Sequence, residues 1–387
     1  MIKNELEKKF ETVFQKKAEA TYFAPGRINL IGEHIDYHGG KVLPAAISIG
    51  TYGVVKKRED NLIQFYSANF EGEGIYQFTL PVGEYDKKDS WTNYTKGIIK
   101  ILDDAGYSLS HGFDLLVYGN IPYGSGLSSS ASLEVLMAWI LKELYNFDYS
   151  RVDTAIYTKQ SENDYVGVNC GIMDQFAVAM GKVNQAMLLD TNDLSYEYVP
   201  IELTDSSILI MNSNRKRGLE DSLYNQRRTE SEQAFELINS TLKKEYLSDF
   251  TLDELYENKE MISDELLYRR AHHVVSENVR TMEAVQALKN NDLIEFGNLL
   301  NQSHASLKND YEVSSLELDL LVETVQNLEG VYGARMTGAG FGGCAIALVE
   351  NSQLEKVSEI VKRVYKENTE YEADTYVAEI YNGVQKI

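Results

Sequence analysis

The sequence predicts an α+β protein built from two domains. Its 387 residues exceed what a single core usually organises. Residues 40–120 read mainly as strands, whereas from Asp221 to Glu329 the apolar spacing turns helical before strands close the chain. This change of character puts a boundary near residues 200–215, and we divide the chain into 1–205 and 206–387.

The elements follow in order. "MIKNELEKKFETVFQKKAEA" alternates charge with apolar residues at helical spacing, has no signal-peptide core and reads as a surface helix. "TYGVVKKRED" and "NLIQFYSANF" read as paired strands, and "FDLLVYGN" as another, because all are rich in β-branched and aromatic residues. Leu133 to Tyr145 carries apolar residues at 133, 136, 137, 140, 141 and 144, which is helical spacing. "AFELINSTLKKEYL" and "SLELDLLVETVQNLE" are amphipathic helical runs in the second half. After Gly330 come the glycine-rich "YGARMTGAG", the strand-like "CAIALVE", the helix-like "LEKVSEIVKRVYKE" and a last strand, "TYVAEIY".

Composition narrows function. With 43% hydrophobic and 25% charged residues and no apolar run near the roughly 18 that a membrane span needs, the chain reads as globular, with no membrane partner. Cys170 and Cys344 are too few for a disulfide framework, lack CxxC spacing and fit a reducing, cytoplasmic setting. A formal charge of −22 argues against nucleic acid, which needs a concentrated basic surface. An anionic small molecule could bind only where backbone amides, a few cations or Mg²⁺ supply local positive potential.

Three stretches could carry chemistry. The first, "GSGLSSSAS" (Gly124 to Ser132), lies between a strand and a helix, so its free N–H groups and the positive end of the helix dipole suit phosphate oxygens. It is not a Walker A loop, because no lysine stands between Gly119 and Lys142, and it lacks the G-x-S-x-G and G-x-G-x-x-G patterns. Serines also cap helices, but three in a row exceed what capping requires, and the extra hydroxyl suits Mg²⁺ or phosphate. The second, "MTGAGFGGCAIALVE", does contain G-x-G-x-x-G, yet the residues that follow read as a strand where a dinucleotide site needs a helix. Its glycines imply close backbone approach or positive φ.

The third stretch, "APGRINLIGEHIDYHGGKVLPAAI", gathers Arg27, Glu33, His34, Asp36 and His38 within twelve residues punctuated by glycine. The order is not HExxH and no clustered third ligand set follows, so zinc is disfavoured. Carboxylates and imidazole at short spacing suit the adjacent hydroxyls of a polyol. A further run, "KQSENDYVGVNCGIMDQFA", holds Glu162 in a helical segment and Asp174 among Ile172, Met173, Phe176 and Ala177. In such a partly dry setting Asp174 needs a cation to stay ionised, and Arg27 is the candidate.

"GRINLIGEHIDY", "PYGSGLSSSAS" and "MTGAGFGGC" resemble, in order and spacing, the three motifs of the galactokinase, homoserine kinase, mevalonate kinase and phosphomevalonate kinase (GHMP) superfamily, and the first is similar to the galactokinase signature within it. The resemblance extends from about Phe23 to the C-terminus. It implies an N-terminal domain like domain 2 of ribosomal protein S5, a C-terminal ferredoxin-like α+β domain, and an active site in the cleft between them. It further implies ATP-dependent phosphorylation of the anomeric hydroxyl of α-D-galactose by a cytoplasmic enzyme, monomeric or weakly oligomeric. By position, Gly124, Ser125, Gly126, Leu127, Ser128, Ser129 and Ser130 would wrap the ATP phosphates, with Ser67 near the nucleotide. Ser130 and Glu162 would hold Mg²⁺. Glu33, His34, Ile35, Asp36, Gly171 and Tyr224 would line the sugar pocket. Asp174 would be the catalytic base, oriented by Arg27. Related sugar-1-kinases acting on N-acetylgalactosamine or L-arabinose, and a non-catalytic sugar sensor, share these motifs in whole or part.

Overall fold

The first half of the chain, joined by the C-terminal strand, is organised by a six-stranded sheet in the order Gln385–Lys386, Ala20–Asn29, Pro44–Lys57, Phe113–Gly119, Leu62–Ser67, Ile75–Thr79. The computed structural model describes residues 2–122, 124–168, 170–215 and 220–387. Successive side chains on a strand face opposite ways, and both faces here are covered. Val54 and Leu116 meet Leu6, Phe10 and Phe14 of the N-terminal helix Ile2–Phe14, whereas Val55 and Leu115 join the core that holds Val135, Leu136 and Ile140 of the helix Ser129–Tyr145. All ten residues of Ala20–Asn29 are accordingly buried.

Two expectations for residues 40–120 need correction. The strands containing "TYGVVKK" and "LIQFYS" are not paired with each other, because Phe113–Gly119 runs between them, antiparallel to the first and parallel to the second. Asp114 fixes that insertion. Its buried carboxylate takes Arg58 Nη1 at 2.7 Å and Lys16 Nζ at 2.8 Å. The stretch also contains a helix, Thr92–Asp104, which buries Ile98, Ile99, Ile101 and Leu102, and so provides the crossover that parallel strands require.

The second half is a four-stranded antiparallel sheet, ordered Val331–Thr337, Cys344–Glu350, Ser206–Asn212, Asp374–Ala378. Ile208, Ile210, Ile346 and Leu348 pack with Phe296, Leu299 and Leu300 of the helix Leu293–Ser306. Leu209, Met211, Ala345 and Ala347 pack with Leu318 and Leu321 of Leu316–Val325 and with Val357 and Val361 of Leu354–Asn368. Burial on both faces explains why "CAIALVE" is apolar throughout and not alternating.

A third sheet of three short strands, Lys41–Val42, Gln185–Asp190 and Tyr196–Pro200, anchors the exit of the glycine-punctuated loop at residues 30–40. Among the described residues two π-helical turns occur, Ser161–Val166 after the helix Arg151–Gln160 and Leu307–Tyr311 after Leu293–Ser306, and such insertions often mark functional sites. Among the described residues, no helix is long and apolar enough to cross a membrane.

Candidate active site

Arg27 leaves the buried strand Ala20–Asn29 just beyond a register shift between Pro25 and Gly26, and its side chain is buried. Its Nε and Nη2 donate to Asp174 Oδ1 and Oδ2, each at 2.8 Å, and Nη1 donates to the Gly126 carbonyl at 2.6 Å. Burial alone would lower the Arg27 pKa, but Asp174, Glu33 and Asp36 together raise it, so the guanidinium stays charged. Asp174 sits at the start of the helix Met173–Met180, with Met173, Phe176 and Ala177 buried around it. Its own side chain keeps 31% exposure, so the carboxylate opens onto the cleft and is less dry than its neighbours suggested.

The serine-rich loop connects the strand Phe113–Gly119 to the helix Ser129–Tyr145, as expected. Ser128 stands at the helix N-cap with φ 62° but makes no capping hydrogen bond. Its hydroxyl instead donates to Asp174 Oδ2. Ser125 and Leu127 are buried, Ser129 is exposed, and Gly124 and Gly126 have positive φ. Ser132 anchors the helix to the sheet, donating to the Ala24 carbonyl at 2.9 Å. Ser67, at the end of Leu62–Ser67, is buried beside the strand that leads into the loop.

Glu162 lies in the π-turn Ser161–Val166 and accepts hydrogen bonds from the Ser130 hydroxyl and, at 2.7 Å, from Gln175 Nε2. Burial, then the Asp174 charge, raises its pKa. One helical turn beyond Ser130 stands Glu134, which sequence reasoning missed. It is buried next to Glu162, with Ser161 and Gln175 beside its carboxyl group. Burial, then Glu162, pushes it well above the carboxylate range. A hydroxyl and a carboxylate are hard oxygen donors that fit Mg²⁺, and a cation there would relieve the burial and crowding that raise the Glu162 pKa. Among the described residues, no group of three or more His, Cys, Asp or Glu could hold an ion unaided. Mg²⁺ typically completes such two-residue sites with water and substrate phosphates.

The loop of the first motif forms the opposite wall. His34 has φ 61°, and its Nε2 lies 3.1 Å from the Ala339 carbonyl, so that nitrogen carries the hydrogen. Its Nδ1 then accepts from the Tyr37 hydroxyl at 2.9 Å, and Tyr37 is in turn 2.9 Å from the Tyr311 hydroxyl. Burial pushes His34 down to about 3, which keeps the imidazole neutral. Tyr224, on the helix Glu220–Leu242, faces His34 with ring centroids 5.4 Å apart, and burial, then Asp36, raises its hydroxyl pKa. Asp36 approaches Gly171 so closely that a Cβ there would collide with its Oδ2. Burial, then the charges of Asp174 and Glu33, lifts Asp36 to about 7. Ile35 is wholly buried, and its carbonyl accepts from the amides of His38 and Gly40.

Glu33 is placed differently from an open pocket carboxylate. Its Oε2 accepts from Arg335 Nη2 at 2.8 Å and from the Gly338 amide at 2.9 Å. Burial raises its pKa against the pull of Arg335 and Arg27. The third motif therefore touches both other motifs, since a Cβ added at Gly338 would lie 3.0 Å from the Gly126 carbonyl. As expected, Gly338, Gly340 and Gly343 all have positive φ, and a strand follows them.

The structure thus gathers Arg27, Asp174, Ser128, Asp36, Gly171, His34 and Tyr224 in one cleft, with Ser130 and Glu162 beside it. The chain matches the galactokinase galactose-binding signature over residues 8–57, the GHMP kinases N terminal domain over 93–182 and the GHMP kinases C terminal model over 284–367. It is 51% identical to the galactokinase of Ligilactobacillus salivarius over 385 residues, covering all of both chains. It is also 51% identical to that of Streptococcus mutans over 383 residues, covering 99% of this chain and 98% of the relative. The structure superposes on Lactococcus lactis galactokinase complexed with galactose at a TM-score of 0.97, with 48% identity and full coverage of both chains. Methanococcus jannaschii mevalonate kinase, 20% identical with a TM-score of 0.66 over 94% of this chain and 98% of that one, shares the fold. A three-sheet α+β architecture, three motifs meeting at one site, and half-identity over the full length have one explanation: this chain belongs to the galactokinase family.

Proposed function

We propose that this chain transfers the γ-phosphoryl group of ATP to the anomeric C1 hydroxyl of α-D-galactose, giving α-D-galactose 1-phosphate and ADP, the first committed step of galactose use. The observation that carries this reading is the forked Arg27–Asp174 pair, which faces a wall of Asp36, Gly171, His34 and Tyr224. The C1 oxygen forms a bond to the γ-phosphorus, the bond from that phosphorus to the β,γ-bridging oxygen breaks, and the hydroxyl proton passes to the Asp174 carboxylate. Positioning and charge stabilisation dominate such a transfer.

Each residue has a task in this scheme. Asp174 is the general base, worth roughly 10²–10⁴-fold. Arg27 orients it and, through its hydrogen bond to Gly126, ties the base to the loop that receives the phosphates. The amides of Gly124 to Ser130 hold phosphate oxygens, and Ser67 lies toward the nucleotide. Ser130 and Glu162 hold Mg²⁺, which when bound neutralises phosphate charge. Glu33, His34, Ile35, Asp36, Gly171 and Tyr224 define the sugar pocket. We retain the division at 1–205 and 206–387 as the domain organisation, except that the last strand, Gln385–Lys386, returns to the sheet of the first domain, and a cytoplasmic monomer or weak homo-oligomer as the working form, which suits an ATP-consuming enzyme with two cysteines.

The test is ATP turnover, followed by ADP release, across galactose, glucose, L-arabinose and N-acetylgalactosamine, with and without Mg²⁺. Galactose is expected to give the highest kcat/KM, with turnover lost on chelation. A higher kcat/KM for arabinose or N-acetylgalactosamine would reassign the substrate.

A further inference from the structure

The sugar-facing loop is held in shape by the other half of the chain. The peptide Gly32–Glu33 is gripped on every side by residues between 273 and 338. The amides of Gly32 and Glu33 donate to Glu277 Oε1 at 3.0 and 3.2 Å. The Glu33 carbonyl lies 3.0 Å from His273 Nε2, and its carboxylate takes Arg335 and the Gly338 amide. Arg335 also donates to the Leu30 carbonyl at 2.9 Å, so one guanidinium fixes both the backbone and the side chain of the loop.

Glu277 is fully buried on the helix Glu265–Lys289, with Ser303 Oγ donating to its Oε1 at 2.6 Å and Arg280 Nε to its Oε2 at 2.9 Å. Arg280, with further help from His273 and Arg335, overcomes burial and holds its carboxyl near 2, so it is ionised. A buried carboxylate that accepts two successive backbone amides is an anchor for one backbone conformation. That conformation is demanding, since Gly32 has φ +92° and the next-but-one residue, His34, has φ 61°. His34 and Asp36 reach the cleft only while this turn persists.

We propose that Glu277 and Arg335 are positioning residues for the sugar site, acting through the Gly32–Glu33 peptide and the Glu33 side chain and touching neither substrate. The inference rests on the reading of Glu33 to Asp36 as the sugar-binding loop. It assigns galactose affinity to two residues, one on a helix and one on a strand, that lie outside the three motifs.

The test compares E277Q and R335K with D36N, measuring KM for each substrate, kcat, and the rise in melting temperature on adding galactose. Glutamine keeps the shape of Glu277 without its charge, and lysine cannot span the two targets of the Arg335 fork. In both variants galactose KM is expected to rise roughly tenfold and the galactose-induced thermal shift to shrink, with ATP KM within about twofold of wild type. Unchanged galactose KM in E277Q and R335K overturns the inference. So does an equal rise in both KM values, or a fall in kcat alone, since either marks a general loss of structure. If D36N leaves galactose binding intact, the reading of the loop itself fails, a result separable from the first.

Discussion

Arg27 and Asp174 form a two-pronged ion pair, Nε to Oδ1 and Nη2 to Oδ2 both at 2.8 Å, and the remaining guanidinium nitrogen holds the Gly126 carbonyl. One side chain therefore sets the distance between Asp174, the proposed base, and the loop that carries Gly126. A lysine offers a point charge and no fork, so Arg27→Lys is expected to lower kcat about 10²-fold. Asp174→Asn keeps the shape and loses the base, and is expected to lower turnover by roughly 10²–10⁴-fold while galactose still raises the melting temperature. Near-normal turnover in Asp174→Asn would remove it from the base role.

Ser128 offers a separation of roles. Its hydroxyl is bound to Asp174 and caps no helix. Ser128→Ala is expected to lower kcat about tenfold with little change in ATP KM, because it removes a hydrogen bond to a charged group near the reacting atoms. A raised ATP KM with unchanged kcat would mean that the hydroxyl serves the phosphates instead.

Gly171 is a steric gauge of the proposed sugar wall. A methyl group there would meet the Asp36 carboxylate, which must then move. Gly171→Ala is expected to raise galactose KM at least tenfold, on the order of 1.4 kcal/mol of lost binding, and to leave ATP KM unaltered. Steady-state kinetics with each substrate varied in turn decides this.

Asp36 makes a pH signature. Burial, then Asp174 and Glu33, lifts it from 3.8 to about 7. Because the folded value exceeds the unfolded one, its contribution to stability is present below about pH 4 and is lost as pH rises through 7. Sugar hydroxyls donate best to the ionised carboxylate, so galactose KM is expected to fall as pH rises from about 6 to 8. His34, held near 3, stays neutral throughout that window. Asp36→Asn is expected to flatten the profile, and a slope equal to wild type in that variant would assign it to another group.

Ser130 and Glu162 are testable through the metal. Ser130→Ala and Glu162→Gln are each expected to raise the half-saturating Mg²⁺ concentration at least roughly tenfold, with galactose binding in the absence of nucleotide unchanged. An unaltered Mg²⁺ titration in Ser130→Ala would point to a different serine of the loop.

Much of the fold and the outline of the site were readable in the residue order, for reasons that differ by element. The N-terminal helix, the long helices after Asp221 and the strand "CAIALVE" follow from local spacing, and all appear. The pairing of residues 44–57 with 62–67 was misread because neighbours in sequence suggest a hairpin, and nothing local announces that Phe113–Gly119 will enter between them. The fork between Arg27 and Asp174 was legible because an acid in an apolar run needs a cation. The bond from Ser128 to Asp174 was not, because it joins residues 46 apart through a backbone conformation that no composition reveals. Glu277 and His273 look like the polar face of an amphipathic helix, and only the folded chain shows that this face is buried against the sugar loop.

The π-turn at Ser161–Val166 makes the enzyme vulnerable to a very small genetic change. Such a turn holds one residue more than regular helix, so removing a single codon within it, downstream of Glu162, would restore ordinary helical winding. The helix ends at Gly167, so the deletion would shorten by one residue the segment that leads to Cys170 and Gln175 and disturb their contacts with Glu162. Loss of activity by that route would leave a folded, abundant and inert protein, a phenotype that expression level alone would never disclose.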